Sequence, residues 1–162
     1  MLTASAATTP AIVVRDLKKS YGLVDAVRSI TFSVAAGQTV GLLGGNGAGK
    51  TTTLSMLLGV LKPTGGSIEL LGLSLAAHRY DILPRINFTS PYVDLPKRLS
   101  VVENLHVFAG LYGVRDGKKR ILELLAELDL ETVADRPYAN LSAGQRTRVS
   151  LAKSLLNSPE LL

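Results

Sequence analysis

The sequence predicts an α/β domain, with sheet elements at the front of the chain and helices at the back. Three observations carry that expectation. Two β-rich, partly alternating segments, residues 11–17 (AIVVRDL) and 27–34 (VRSITFSV), flank a Tyr21-Gly22 turn. A short apolar run at 39–43 (TVGLL) passes directly into a glycine-rich turn. From residue 100 onward, apolar residues recur at helical spacing.

The two β-rich segments should pair as an antiparallel entry sheet, and 39–43 is expected as a buried strand. A helix should start near Gly49 and run to about Val60, where Lys62-Pro63-Thr64-Gly65-Gly66 stops it. Residues 67–71 (SIELL) read as the next strand. Prolines punctuate residues 81–96, with a short strand expected at 85–88. Ser100-Val101-Val102-Glu103 has the form of a capping box. Val101, Leu105, Phe108 and Tyr112 then follow on one stripe. A second helix over about 118–130 is expected to bury Ile121, Leu122, Leu125 and Leu128. A third begins behind Leu141, capped by Ser142 with Gln145 three residues on, and ends at Asn157-Ser158-Pro159. His78 and His106 read as surface residues.

Composition bounds the function. The 162 residues suit one domain of ordinary size, and 46% of them are apolar, enough to bury a core. Cysteine is absent, which excludes disulfides and thiolate-held metals and fits a reducing cytoplasm. The net charge of +5 is spread out apart from Lys118-Lys119-Arg120, a run that reads as a solvated helix face. A nucleic-acid partner would need a denser basic stripe and is not expected. No apolar run approaches the ~20 residues of a membrane span, so work at a membrane would require another chain, or a segment outside this one, to do the spanning. Residues 1–10, rich in Ala, Thr and Ser, lack the basic start and apolar centre of a signal peptide. They are expected as a disordered tail, leaving 11–162 as the domain.

Gly44-Gly45-Asn46-Gly47-Ala48-Gly49-Lys50-Thr51 matches G-x-x-x-x-G-K-[ST] at every position, between an expected strand and an expected helix. A polyphosphate needs many inward backbone N–H donors, and such a nest needs backbone angles that glycine reaches easily. The following helix aims its partly positive N-terminus at the anion. Lys50 supplies a full positive charge to the β and γ phosphates. The Thr51 hydroxyl suits Mg²⁺, and Thr52 adds a contact to the α phosphate. A dinucleotide fold is the rival, with Glu69 twenty residues past Gly49. Counting G-x-G-x-x-G from Gly45 rejects it, because position 50 must then be glycine and Lys50 stands there.

A phosphate loop alone does not choose among kinases, GTPases and transport ATPases. Leu141-Ser142-Ala143-Gly144-Gln145 narrows the choice. It is a capped helix start with small residues that let a phosphate come close, a second anion site. The segment resembles the signature of the ATP-binding cassette (ABC) family, LSGGQ in its commonest form, with Ala143 in place of a glycine. Arg146-Thr147-Arg148 fits the basic residues that follow it there. The resemblance runs from about Ile12 to the end. Residues 99–105 (LSVVENL) resemble the start of the family's helical subdomain, and 108–113 (FAGLYG) resemble exporter-type members.

The resemblance implies a RecA-like P-loop NTPase core with an N-terminal antiparallel β subdomain and a helical ABC insert over about 98–156. It implies that Tyr21, in Lys19-Ser20-Tyr21-Gly22, stacks on adenine and that Val27 lines the same pocket. Leu141 to Gln145 would face the γ phosphate held by a partner cassette, in a homo- or heterodimer. Membrane-spanning subunits would hold the pair at the cytoplasmic face of the cell membrane. ATP and Mg²⁺ are the implied cofactors, with Lys50 in the catalytic role.

Two departures stand out. The family places a glutamine that meets Mg²⁺, the attacking water and the membrane partner where this chain has Ser90-Pro91, and residues 86–98 contain none. Pro159-Glu160-Leu161-Leu162 resembles the first residues of the strand that carries the family's Mg²⁺-binding aspartate and general-base glutamate. A switch histidine follows in the family, and neither His78 nor His106 is placed to replace it. The chain is therefore expected to be a partial cassette, incomplete at its C-terminus. Three readings stay open: an ATP-hydrolysing subunit of a transporter, most of all an exporter; a nucleotide-binding module without turnover; and a soluble ABC protein of translation or DNA repair.

Overall fold

The computed structural model describes residues 10–90 and 94–162. Of the tail expected at 1–10, residues 1–9 lie outside them, as does Pro91 of the Ser90-Pro91 pair, whereas Pro10 is corrected to the first residue of a strand. The chain forms two compact units that divide between Leu83 and Pro84.

The first unit is built on four antiparallel strands: β1 (Pro10–Tyr21), β2 (Val24–Ala35), β3 (Gly65–Leu70) and β4 (Leu73–Ser74), in the order β2-β1-β3-β4. β1 and β2 close as the expected hairpin, with Tyr21 opposite Val24. β1 lies between β2 and β3. Val14 and Leu17 are fully buried, and they pack in the same core as Val34, Ile68 and Leu70. Arg15 pairs with Glu69 across β1 and β3. The acidic residue that suggested a dinucleotide fold thus serves the sheet. Helix α1 (Lys50–Leu57) buries Thr53 and Met56. It stops one turn earlier than the sequence suggested, because Leu58 ends it and Gly59 follows in the left-handed region at φ 67°. A four-residue helix, α2 (Arg79–Ile82), completes the unit, with His78 exposed at its start and bonded to Asp81.

One strand expectation is corrected. Residues 39–43 are coil in place of a buried strand. Val40 is 59% exposed, Leu42 45% and Leu43 91%. A core strand of this kind needs a neighbour to satisfy its N–H and C=O groups. Among the described residues, none is paired with it.

The second unit is a helical cluster of α3 (Val101–Leu111), α4 (Gly117–Glu127) and α5 (Ala143–Leu155). The capping box at α3 is as read: Glu103 N donates to Ser100 Oγ at 3.2 Å, and Ser100 N donates to Glu103 Oε2 at 2.8 Å. Val101 and Leu105 are fully buried, and Phe108 and Tyr112 pack against the same core. Asn104, also fully buried, donates through Nδ2 to the carbonyls of Pro96, Leu99 and Ser100 and so fixes the loop entering α3. On α4 the buried residues are Ile121, Leu124 and Leu125, with Leu128 half-buried at its end. Leu122 is corrected to the surface, 65% exposed. It stands about 100° round the helix from Ile121 and off the 121–125–128 stripe, whereas Leu124 falls on it. His106 is exposed on α3.

Guanidinium groups cover two helix ends in this unit. Arg148 donates to the carbonyls of Leu128 and Asp129 behind α4, and Arg120 donates to Leu155 O on α5. The strand expected at 85–88 reduces to one parallel bridge, Ile86 to Leu161. Asn87 N donates to Leu161 O, and Glu160 N donates to Arg85 O. Arg85 holds Glu160 through two bonds, Nε to Oε1 at 2.6 Å and Nη2 to Oε2 at 2.9 Å.

The Arg85 hydrogen bonds hold the Glu160 carboxyl below its ordinary range and raise the guanidinium in return. A carboxylate depressed in the folded state contributes fully above its unfolded value, and that contribution is lost as pH falls through the folded value. Hydrogen exchange at Asn87 N, corrected for its intrinsic rate, should therefore speed up only below the ordinary glutamate range. Glu160→Gln should remove this acid-dependent step. An unchanged pH profile in that variant would refute the tether.

Candidate functional site

The coil at 39–43 delivers the chain into the loop Gly44 to Gly49, whose residues up to Ala48 are solvent-exposed. Gly49 is the N-cap of α1 at φ 81°, and no side chain caps the helix. The first intrahelical bond in this turn is Thr53 N to Gly49 O, 2.8 Å. The N–H groups ahead of it on Gly49, Lys50, Thr51 and Thr52 are the ones a helix start leaves without an intrahelical acceptor. No acidic residue occupies the first turn. The helix end is therefore a cluster of donors with positive potential, open to an anion.

Glycine is required at this point for two separate reasons. The left-handed angle disfavours other residues. A Cβ on Gly49 would also stand 2.5 Å from Ala26 O and 3.0 Å from Val27 Cγ2, both on β2. The loop thus rests its closing end on the sheet, and Val27, 5% exposed, is the surface beneath it. At the opening end, a Cβ on Gly44 would meet the Ala48 methyl at 3.0 Å. Lys50 arches back across the loop and donates to Gly44 O at 2.6 Å and to Gly45 O at 2.7 Å.

This donor set fits a polyphosphate: unsatisfied amides, one ammonium and no carboxylate within the loop. It fits Mg²⁺ through one group only, the exposed hydroxyl of Thr51, since Mg²⁺ bound to nucleotides takes few protein ligands beside phosphate oxygens and water. Thr52 is half-buried beside it. Asn46 and Gly47 form the exposed crest. Tyr21 sits at the hairpin tip, 53% exposed, with Lys19 Nζ 5.0 Å from its ring centroid. Its described ring contact is with Lys19, whereas Val27 reaches the loop directly.

In the second unit, the segment from Leu141 opens α5. Gln145 N donates to Ser142 Oγ at 3.2 Å, and Ser142 N donates to Gln145 Oε1 at 2.9 Å. Ser142, Ala143 and Gly144 are exposed, so this capped start is reachable from solvent. Leu141 differs from its neighbours: it is 4% exposed and part of the helical core, so it anchors the start and does not present its side chain. Arg146 donates to Ala139 O at 2.7 Å and lies over the ring of Tyr138, a buried residue whose hydroxyl is pushed up, first by desolvation. One buried cation drew no notice in the sequence: Lys153 on α5, 7% exposed among aromatic rings. Its position four residues past Val149 on a buried stripe was the available signal.

A family model described as ABC transporter matches residues 27–162, most of the chain. The chain belongs to the ABC transporter family. As an ABC chain it is similar to the Nod factor export ATP-binding protein I of Ralstonia nicotianae, with 40% identity over 96% of this chain and 49% of that protein. The protein of the same name from Cupriavidus pinatubonensis is 37% identical over 96% and 49%. The chain thus spans about half the length of the curated relatives it matches. Among solved structures, the ATP-binding subunit of an ABC transporter aligns with a TM-score of 0.78 at 29% identity, over 92% of this chain and 63% of that one. CbiO1 of Clostridium perfringens, described as part of the transporter complex CbiONQ, aligns with a TM-score of 0.80 at 26% identity, over 93% and 62%.

The two exposed helix starts differ in a way that substitution can test. Gly49→Ala should destabilise the ABC chain by about 1–3 kcal/mol, through strain and the clash with Ala26 O. Gly144→Ala meets nothing within 4 Å and should stay within about 0.5 kcal/mol of the parent. Urea titration of both variants is the check, and equal destabilisation would contradict the steric account.

Proposed function

We propose that this ABC chain is the nucleotide-binding part of a transporter subunit that couples ATP binding and hydrolysis to movement of a solute across a membrane, in the export direction. One observation carries the proposal: the Lys50 ammonium spans the phosphate loop between two neutral carbonyls, at a helix start that nothing caps. A phosphate oxygen is a stronger partner for an ammonium than a carbonyl is. On ATP binding, Lys50 exchanges Gly44 O and Gly45 O for the β and γ phosphates, while the amides of Gly49 to Thr52 bind from below. Tyr21, exposed at the hairpin tip, offers a face to adenine. Thr51 is the residue that would hold Mg²⁺, which when bound neutralises charge on the phosphate oxygens.

The exposed Ser142-Ala143-Gly144 face serves the nucleotide of a second cassette, in the same way that the uncapped α1 serves its own. Export is supported by the names of the relatives, which are export ATP-binding proteins. Among the described residues, no helix is long and apolar enough to cross a membrane. The membrane passage is assigned to a partner subunit, with the cassette on the cytoplasmic face, and the description of CbiO1 as part of a transporter complex supports that assignment. One observation favours a second reading, binding without turnover by the chain itself. The phosphate loop and the signature segment supply donors for an anion but no carboxylate to orient water.

Titration of the folded chain with Mg-ATP tests the proposal. Lys50→Ala should weaken binding by about 10–100-fold, the worth of a charge-assisted contact. Equal affinity in the variant, or no nucleotide binding by a folded parent, would reject the site. Sustained phosphate release that disappears in Lys50→Ala supports the enzyme, and tight binding without release supports the second reading. Tyr21→Ala should cost a further, smaller factor of roughly 3–10 if the ring stacks on adenine.

A further inference from the structure

Lysine is seldom buried without a partner, and among the described residues Lys153 takes part in no ion pair. Its ammonium sits instead 5.3 Å from the ring centroid of Phe88, 5.5 Å from Phe108 and 6.0 Å from Tyr112, and reaches Phe88 O at 3.5 Å. Phe88 belongs to the segment 84–90, which leaves a short 3-10 turn at Leu83–Arg85, while Phe108 and Tyr112 belong to α3 and its cap. One cation therefore joins that segment, α3 and α5. A ring face attracts a cation most strongly when water is kept away, and all four groups here lie within the second unit.

Ser150 on α5 and Asn157 in the turn just past its end grip the same segment. Ser150, three residues before it, shares a hydrogen bond of 2.9 Å with the Thr89 hydroxyl. Asn157, four residues after it, donates to Pro84 O at 2.8 Å and Ile86 O at 3.4 Å and accepts from Asn87 Nδ2 at 2.7 Å. The order is regular: Asn157 holds residues 84–87, Lys153 holds 88 and Ser150 holds 89. The segment lies along the helix as a strap running opposite to it. Of the three grips, Lys153 is the charged one and the one that also engages α3.

We infer that Lys153 is a positioning residue that locks the strap 84–90 onto α5, so that the Ser90 end of the strap and the Ser142 end of the helix move as one body. Its catalytic consequence rests on the ATPase reading above; its structural consequence rests on the geometry alone. A lesion here should leave nucleotide affinity at the phosphate loop intact, since Lys50 and its amides lie in the other unit. It should slow the step that needs the strap and the signature to stay in register.

Lys153→Met keeps the volume and removes the charge; Lys153→Arg keeps the charge over the rings. Phe108→Leu is a milder lesion of the same cage that replaces Lys153→Met should that variant not fold. In the full chain, Lys153→Met should speed deuterium exchange at residues 86–89 by roughly tenfold while α4 is unchanged, and Lys153→Arg should return within about threefold of the parent. In the assembled transporter, kcat for ATP should fall about tenfold with KM within about twofold, and Lys153→Arg should restore it. Exchange at 86–89 equal to the parent, an arginine variant as impaired as the methionine one, or a change confined to KM would each overturn the inference. A parent that shows the expected exchange pattern yet hydrolyses no ATP would defeat the ATPase reading and leave the strap standing.

Discussion

The loop around Lys50 is held by contact between two pieces of backbone. Gly49 comes down onto the Ala26 carbonyl of β2 so closely that no side chain fits, and this seating aims the start of α1 outward. The rest of the first unit follows from it. The entry sheet must present β2 at the right height, so β1 and β3 bury Val14, Leu17, Ile68 and Leu70 to stiffen the platform. Lys50 can span the loop only because the loop has already closed. A flexible glycine-rich turn would lose its donors to water; this one is pre-shaped, which lowers the ordering cost when a ligand arrives.

The second unit reaches a similar end by other means. Its exposed helix start is satisfied internally by a capping box, with Leu141 driven into the core directly before it. The exposed residues after that anchor are small, so the surface offered is mostly backbone. Arginines that the sequence presents as a basic run past the glutamine turn inward to carbonyls: Arg146 to Ala139 and Arg148 to the end of α4.

What the sequence made legible was local chemistry. Both capping boxes are set by residues three apart, and both form as read. The phosphate loop was recognisable because its glycines answer to backbone angles and close approach, constraints that act at single positions. The strand at 39–43 was misjudged because burial of a strand depends on neighbours that its own residues do not encode. Leu122 faces solvent because one residue past Ile121 turns about 100° round the helix, away from the buried stripe. For Lys153 the helical period signals burial four residues past Val149, but not its neighbours, because Phe88 and the α3 pair Phe108 and Tyr112 come from distant parts of the chain. The adenine role of Tyr21 rests on family likeness, since the ring itself meets only Lys19 among its described contacts.

The bare ribbon at Val40, Leu42 and Leu43 has a colloidal consequence. Unpaired amides beside apolar side chains make a template for sticking to a like edge on another molecule. Handled by itself, the chain should cluster as its concentration rises, and mild chaotropes or a capping peptide should disperse the clusters before they melt the helices. A purified sample that scatters light can therefore still carry a well-formed phosphate loop.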